Sequence, residues 1–227
     1  DAATGETFAV IVDYKSSPKK LDPLKVAHGL QLQLLAYLNV LCSSRREAAL
    51  AECGVRNAEC GMENNATASV APSVIIPVGV FYIPLHGASG STGARAEILA
   101  ADEAARRRVY QHAGRFAANH RALLDARLDG SASGQFRYSL NKDGSLSKRG
   151  GDALAAADFA ALLQQVETNL RRLGDAIFAG EAAVSPVRLS ASDHACARCD
   201  YRAICRFDPW TQPYRKLAKA GVEEEAE

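Results

Sequence analysis

The sequence predicts an α/β protein, and three observations carry that expectation. Residues 8–12, Phe-Ala-Val-Ile-Val, are a continuous apolar run rich in β-branched side chains, which reads as a buried central strand. Apolar sequence returns at 73–85, where Pro77 and Pro84 limit the clean strand to 78–83, a plausible neighbour of the first. Helical periodicities alternate with these strands. Pro23 opens a pattern in which Leu30, Leu34, Leu38 and Leu41 form one stripe, and Phe159, Leu162, Leu163, Val166, Leu170, Leu173 and Ile177 form another, capped by Asp158 and ended by Gly180.

Polar groups enter the first strand only where it ends. Side chains alternate across a strand with period two, so Asp13 and Lys15 leave on one face and Tyr14 on the other. A carboxylate and an ammonium then stand side by side at the mouth of a sheet. At ~100° per residue, Gln33 and Tyr37 share one edge of the leucine stripe and are placed to face back toward that strand end. Taken alone, Asp-x-Lys is a short motif that usually marks a plain ion pair, and Gln33 with Tyr37 reads equally as the polar edge of an amphipathic helix.

Far downstream, Cys196-x2-Cys199-x5-Cys205 precedes Phe207-Asp208-Pro209 in sequence too charged to make these ordinary core thiols. Three close cysteines call for a shared ligand and a fourth donor. Zinc and an iron-sulfur cluster both satisfy that chemistry, and spacing does not separate them. Cys42 reads as a helix-packing thiol, and Cys53 and Cys60 as thiols of a polar insertion loop. His28 and His194 read as surface or supporting histidines.

The apolar strand, Asp-x-Lys, and Gln-x3-Tyr on the next helix resemble the RecB-type branch of the PD-(D/E)XK nucleases. The cysteine signature resembles the iron-sulfur clasp of the AddB subunits of AddAB-type helicase-nucleases. The resemblance covers nearly the whole chain, including Pro-Val-Gly-Val-Phe-Tyr-Ile-Pro-Leu at 77–85 and the segment 140–149. It implies a restriction-endonuclease-like core, a mixed sheet flanked by helices, with a carboxy-terminal iron-sulfur clasp. It implies 1–209 as the nuclease domain, with the iron-sulfur segment at 194–209, followed by a tail at 210–227.

The same resemblance implies a Mg²⁺-dependent DNA exonuclease domain that processes double-strand breaks for recombinational repair beside an AddA-type helicase-nuclease subunit. Asp13 would ligate Mg²⁺ together with the backbone carbonyl of Tyr14, while Lys15, Gln33 and Tyr37 would serve catalysis. Cys196, Cys199 and Cys205 would hold a 4Fe-4S cluster whose fourth cysteine lies upstream. The chain starts at Asp1 and enters a core strand within a few residues, so a carboxy-terminal fragment lacking one acidic ligand is expected. Two other readings are an iron-sulfur-stapled, non-catalytic module that binds DNA ends, and a CRISPR-associated RecB-like exonuclease.

Composition adds bounds. At 227 residues the chain can bury a full core, and a net charge of +1 gives no electrostatic argument about nucleic acid. Neither a membrane span nor a secretory signal is visible, which sets the expectation of a soluble protein inside the cell, and the resemblance implies a bacterial cytoplasm. No G-x4-G-K-[ST] phosphate loop occurs, and the glycine-rich 87–93 lacks its lysine. Lys19, Lys20 and Lys25 follow the first strand as a rim that could meet phosphate. Residues 101–128 suggest a long arginine-rich helix with Val109, Phe116 and Leu123 recurring every seven residues. Arg107 and Arg121 fall opposite that stripe, with Arg108 and Arg115 on its flank, as on a solvated face. Residues 136–140 read as a short strand leading into a tight turn, and 223–227 as an acidic tail.

Overall fold

A computed structural model describes residues 5–54, 74–85, 110–125, 134–147 and 151–218, with side chains for all of these but 45–54. The chain divides into two compact units, 1–21 with 32–167, and 22–31 with 168–227. The expectations for 87–93, for Arg107, Arg108 and Val109, for Cys60 and for 223–227 lie outside the described residues.

The first unit is built on a mixed four-stranded sheet in the order β1-β2-β3-β4. β1 (Thr7–Lys15) and β2 (Ile75–Pro84) run parallel, β2 and β3 (Ala113–Ala117) antiparallel, and β3 and the short β4 (Ala153–Leu154) parallel. Pro77 does not delay β2, contrary to the sequence reading. The register shifts between Ala9, opposite Pro77, and Val10, opposite Gly79, so a bulge absorbs the missing proline N–H.

β1 is also not the central, doubly buried strand its composition suggests. Among the described strands it lies at the sheet edge. Ala9 is buried and Ile11, Asp13 and Lys15 are half-buried on one face, whereas Val10, Val12 and Tyr14 are 38%, 40% and 62% exposed on the other. Continuous apolar sequence and one-sided burial are compatible because a strand's own residues do not say how many of its faces are covered.

The single helix expected from Pro23 onward is two helices. Asp22 caps α1 (Pro23–Ala27) by accepting the Leu24 N–H at 2.9 Å, and Pro23 occupies the first turn, where its missing N–H costs nothing. The chain then turns through Gly29 (φ 79°) and Gln31 (φ 55°), left-handed positions that end any helix. α2 (Gln33–Gly54) starts afresh and runs through Cys53, which the sequence reading put in a loop. Its buried face is Leu34, Leu35, Leu38 and Cys42, so the expected stripe holds at Leu34 and Leu38 but takes Cys42 in place of the exposed Leu41.

The arginine-rich helix expected over 101–128 is contradicted in its described part. Residues 113–117 form β3, and helical turns follow only at Ala118–His120 and Arg121–Leu124. The seven-residue recurrence was accidental: Phe116 faces inward because it sits on a strand, fully buried against Phe81, Phe136 and Tyr138. Gly114 is required here. A Cβ on it would run into the Val80 carbonyl oxygen of β2, so only glycine lets the two strands approach. Phe136 pairs with His112, and Leu140 with Leu146 across a turn at Asn141–Gly144, in isolated bridges rather than a full strand.

β4 is tied to β3 through Asp152. Its carboxylate accepts the Gly114 N–H at 2.9 Å and pairs with the Arg115 guanidinium at 2.9 Å, while its carbonyl accepts the Phe116 N–H. Burial pushes the Asp152 pKa up, and the Gly114 N–H with the charges of Arg137, Arg115 and Lys20 pull the other way.

α3 (Ala156–Phe178) follows, with Phe159, Leu163 and Val166 buried. Asp158 lies within its first turn rather than capping it, and Gly180 closes it at φ 73°. In the second unit Asn169 of α3 donates to the Val26 and Ala27 carbonyls, satisfying the open end of α1. Beyond α3 the chain has little regular structure. Val187 bridges Arg215 and Arg188 bridges His194, and the Tyr214 ring is packed by His194 and Phe207 with the Arg188 guanidinium over its face. Tyr214 and Arg215 thus make contacts within this unit. No helix among the described residues is long and apolar enough to cross a membrane.

Candidate active site

The carboxyl end of β1 gathers the polar residues of the first unit's rim. Asp13 and Lys15, two apart on one strand face, bring Asp13 Oδ2 and Lys15 Nζ to 2.7 Å, with about a quarter of each side chain exposed. Asp13 Oδ2 is buried and receives no well-aligned hydrogen bond, so the ammonium is its one close polar partner among the described residues. The close contact with the Asp13 carboxylate, and its charge, raise the Lys15 pKa above its ordinary value despite partial desolvation. Lys15 is therefore a cation across the neutral range.

α2 places Gln33 and Tyr37 one turn apart, and the Gln33 side-chain amide donates to the Tyr37 hydroxyl at 3.1 Å. α2 packs against β1, and Tyr37 stands 55% exposed on it. The break at Gly29 and Gln31 leaves this outcome intact because both residues lie beyond it. Tyr14 points its side chain to the opposite face, 62% exposed. The Lys15 carbonyl accepts the Leu85 N–H of the β2 end at 2.9 Å. Backbone groups alternate in direction along a parallel strand, so the Tyr14 carbonyl faces away from β2.

Oxygen donors suit this place. A buried carboxylate oxygen lacking a well-aligned donor, next to a carbonyl that its neighbouring strand does not use, provides hard ligands of the kind Mg²⁺ takes, one or two from the protein and the rest from water. Among the described residues no three His, Cys, Asp or Glu side chains come together as a metal-binding group.

That holds for the cysteine segment too. Cys196 is half-buried on a helical turn at Ala195–Arg198, Cys199 follows it exposed, and Cys205 ends a second turn, Arg202–Cys205, also exposed. None forms a disulfide. The donor chemistry fits a metal or cluster, but the three thiols do not converge as ligands. Cys42 is buried on α2 as expected; His28 lies against the Ala218 carbonyl at 2.8 Å and His194 against Tyr214.

One residue at the rim escaped the sequence reading. Tyr82 stands opposite Asp13 in the register of β1 and β2, and Lys15 Nζ is 5.9 Å from its ring centroid. The signal was the parallel pairing of two runs of similar length, which brings 82 beside 13 once the bulge is counted.

A mixed sheet with helices against it and Asp-x-Lys at the end of an edge strand is a nuclease-type arrangement, and the chain belongs to the PD-(D/E)XK nuclease superfamily, whose family model matches residues 1–206. Within that class the chain is similar to the B subunits of ATP-dependent helicase/deoxyribonucleases. With that of Symbiobacterium thermophilum it shares 31% identity over 220 residues, 95% of this chain and 16% of that protein. For Bacillus anthracis the figures are 30% over 211 residues, 89% and 16%, and for Lysinibacillus sphaericus 30% over 231 residues, 97% and 18%. The chain thus spans less than a fifth of the length of the curated relatives it matches.

Proposed function

We propose that this chain is the Mg²⁺-dependent DNA exonuclease domain of an AddB-type subunit, acting with an AddA-type helicase-nuclease partner in the bacterial cytoplasm to process double-strand breaks for recombinational repair. The names of its relatives, which carry the words helicase and deoxyribonuclease, support the assignment to DNA. The observation that carries it is the Asp13–Lys15 pair, partly exposed at the rim with a buried carboxylate oxygen that receives no well-aligned hydrogen bond.

In this reading Asp13 and the Tyr14 carbonyl hold the ion. When bound, Mg²⁺ supplies an acidified water and neutralises phosphate charge. Lys15, whose ammonium stands at the rim beside Asp13, takes a non-bridging oxygen of the scissile phosphate and stabilises the charge that grows on it during attack. Gln33 and Tyr37, each holding the other, orient the DNA backbone against that ammonium. A 4Fe-4S cluster would have to draw together Cys196, Cys199 and Cys205, which do not converge in this structure, and would then staple the segment that carries them.

In the intact protein, Asp13→Ala should lower metal-dependent strand cleavage at this site at least about a hundredfold while the melting temperature changes little. Undiminished cleavage would refute the assignment.

A further inference from the structure

The proposed roles leave out a side chain whose ring lies within cation–π range of Lys15. Tyr82 is 5% exposed, so its ring cannot swing away, and Lys15 Nζ lies 5.9 Å from its centroid, within cation–π range. A tyrosine phenol is neutral near neutral pH, so the ring offers a π face to the ammonium. Lys15 thus has two holders, a carboxylate at 2.7 Å and a ring. The first cannot serve fully when a divalent cation is present. A carboxylate oxygen committed to the ion has less charge to give the ammonium, and the two cations repel. Lysine is a compact charge on a flexible four-carbon stem, so an ammonium released by Asp13 would wander unless something else kept it.

We propose that Tyr82 is a positioning residue whose ring serves as the shelf that keeps the Lys15 ammonium at the phosphate side of the site once the Asp13 carboxylate is committed to a divalent cation. This rests on the assignment of Asp13 and Lys15 given above. In this role Tyr82 acts through Lys15.

The test uses the intact protein with Tyr82→Leu and Tyr82→Phe, and a series of increasingly fluorinated phenylalanines at position 82, which keep the ring's shape while draining its face of charge. Two quantities are read: the rate at which acetic anhydride labels the Lys15 amine with and without Mg²⁺, followed by mass spectrometry, and kcat and KM on linear duplex DNA. Tyr82→Phe should match the parent in both. Tyr82→Leu should make Lys15 label several times faster in Mg²⁺ and should lower kcat about fivefold, with KM within about twofold. The fluorinated series should move between these limits in order of fluorine count, and it decides the matter if Tyr82→Leu does not fold.

Lys15 labelling in Mg²⁺ that is the same in all variants overturns the shelf, whether or not activity falls, and so does a loss confined to KM. If Asp13→Ala leaves cleavage intact, the assignment of the site has failed and not the shelf alone.

Discussion

The two units of this chain carry reactive side chains in opposite ways. In the first, Asp13 and Lys15 are placed by strand ladders, and the sheet beneath them is anchored by Phe81 and Phe116, each at most 1% exposed. In the second, Cys196 and Cys205 ride on two isolated helical turns with Cys199 between them, among single bridges, and Phe178 and Trp210 are 94% and 95% exposed. A sheet can position a site from its own hydrogen bonds and core. A segment with few buried contacts holds its donors in place only when something binds them.

That contrast can be broken or sharpened by experiment. The largest effect is expected at the cysteines. If a cluster staples the second unit, Cys199→Ser should strip iron and sulfide to near background and expose backbone amides over 186–205 to rapid hydrogen exchange, leaving those of β2 slow. Unchanged iron content would make these thiols plain surface groups and erase the proposed dependence.

A smaller effect, confined to the first unit, follows from Arg115→Met. The Asp152 side chain, 4% exposed, would lose its ion-pair partner, and an orphaned buried charge costs about 3–5 kcal/mol in denaturant unfolding near neutral pH. The sign of the pH dependence follows from burial. A folded-state pKa raised above the unfolded one means that protonation favours the native state; this contribution is full below the unfolded pKa and lost as pH rises through the folded one. Removing Arg115 takes away one of the charges that hold the pKa down, so the variant's deficit should shrink on acidification to about pH 5. A deficit that grows instead would put the cost elsewhere.

The smallest effect lies at Asn169, whose amide serves the end of α1 at 3.0 and 3.3 Å. Asn169→Ala should cost about 1–2 kcal/mol and speed exchange of the α1 amides well before those of β2. Equal loss in both would mean that the two units unfold as one.

The residues of the candidate site were legible because they depend on local periodicity alone. Period two puts Asp13 and Lys15 on one face wherever the strand sits, and one helical turn joins Gln33 to Tyr37 even though the helix expected from Pro23 broke at Gly29 and Gln31. The misreadings share a different cause. Val109, Phe116 and Leu123 recur at a helical interval, yet Phe116 belongs to a strand whose partner, β2, lies more than thirty residues away in the chain. Pro77 looked like a strand breaker because the bulge that absorbs it exists only in the pairing with β1.

By itself the sequence determined the short-range chemistry: which acid and amine share a strand face, which amide and phenol share a helix edge, and which three thiols cluster along the chain. The tertiary structure alone decided that β1 lies at the edge of the described sheet, that Tyr82 stands beneath Lys15, and that Asp152 is buried against Gly114 and Arg115. The reason is physical. Periodicity is a property of one segment's backbone, whereas register and burial depend on the partner segment, and nothing in a single stretch of chain encodes which partner it will meet.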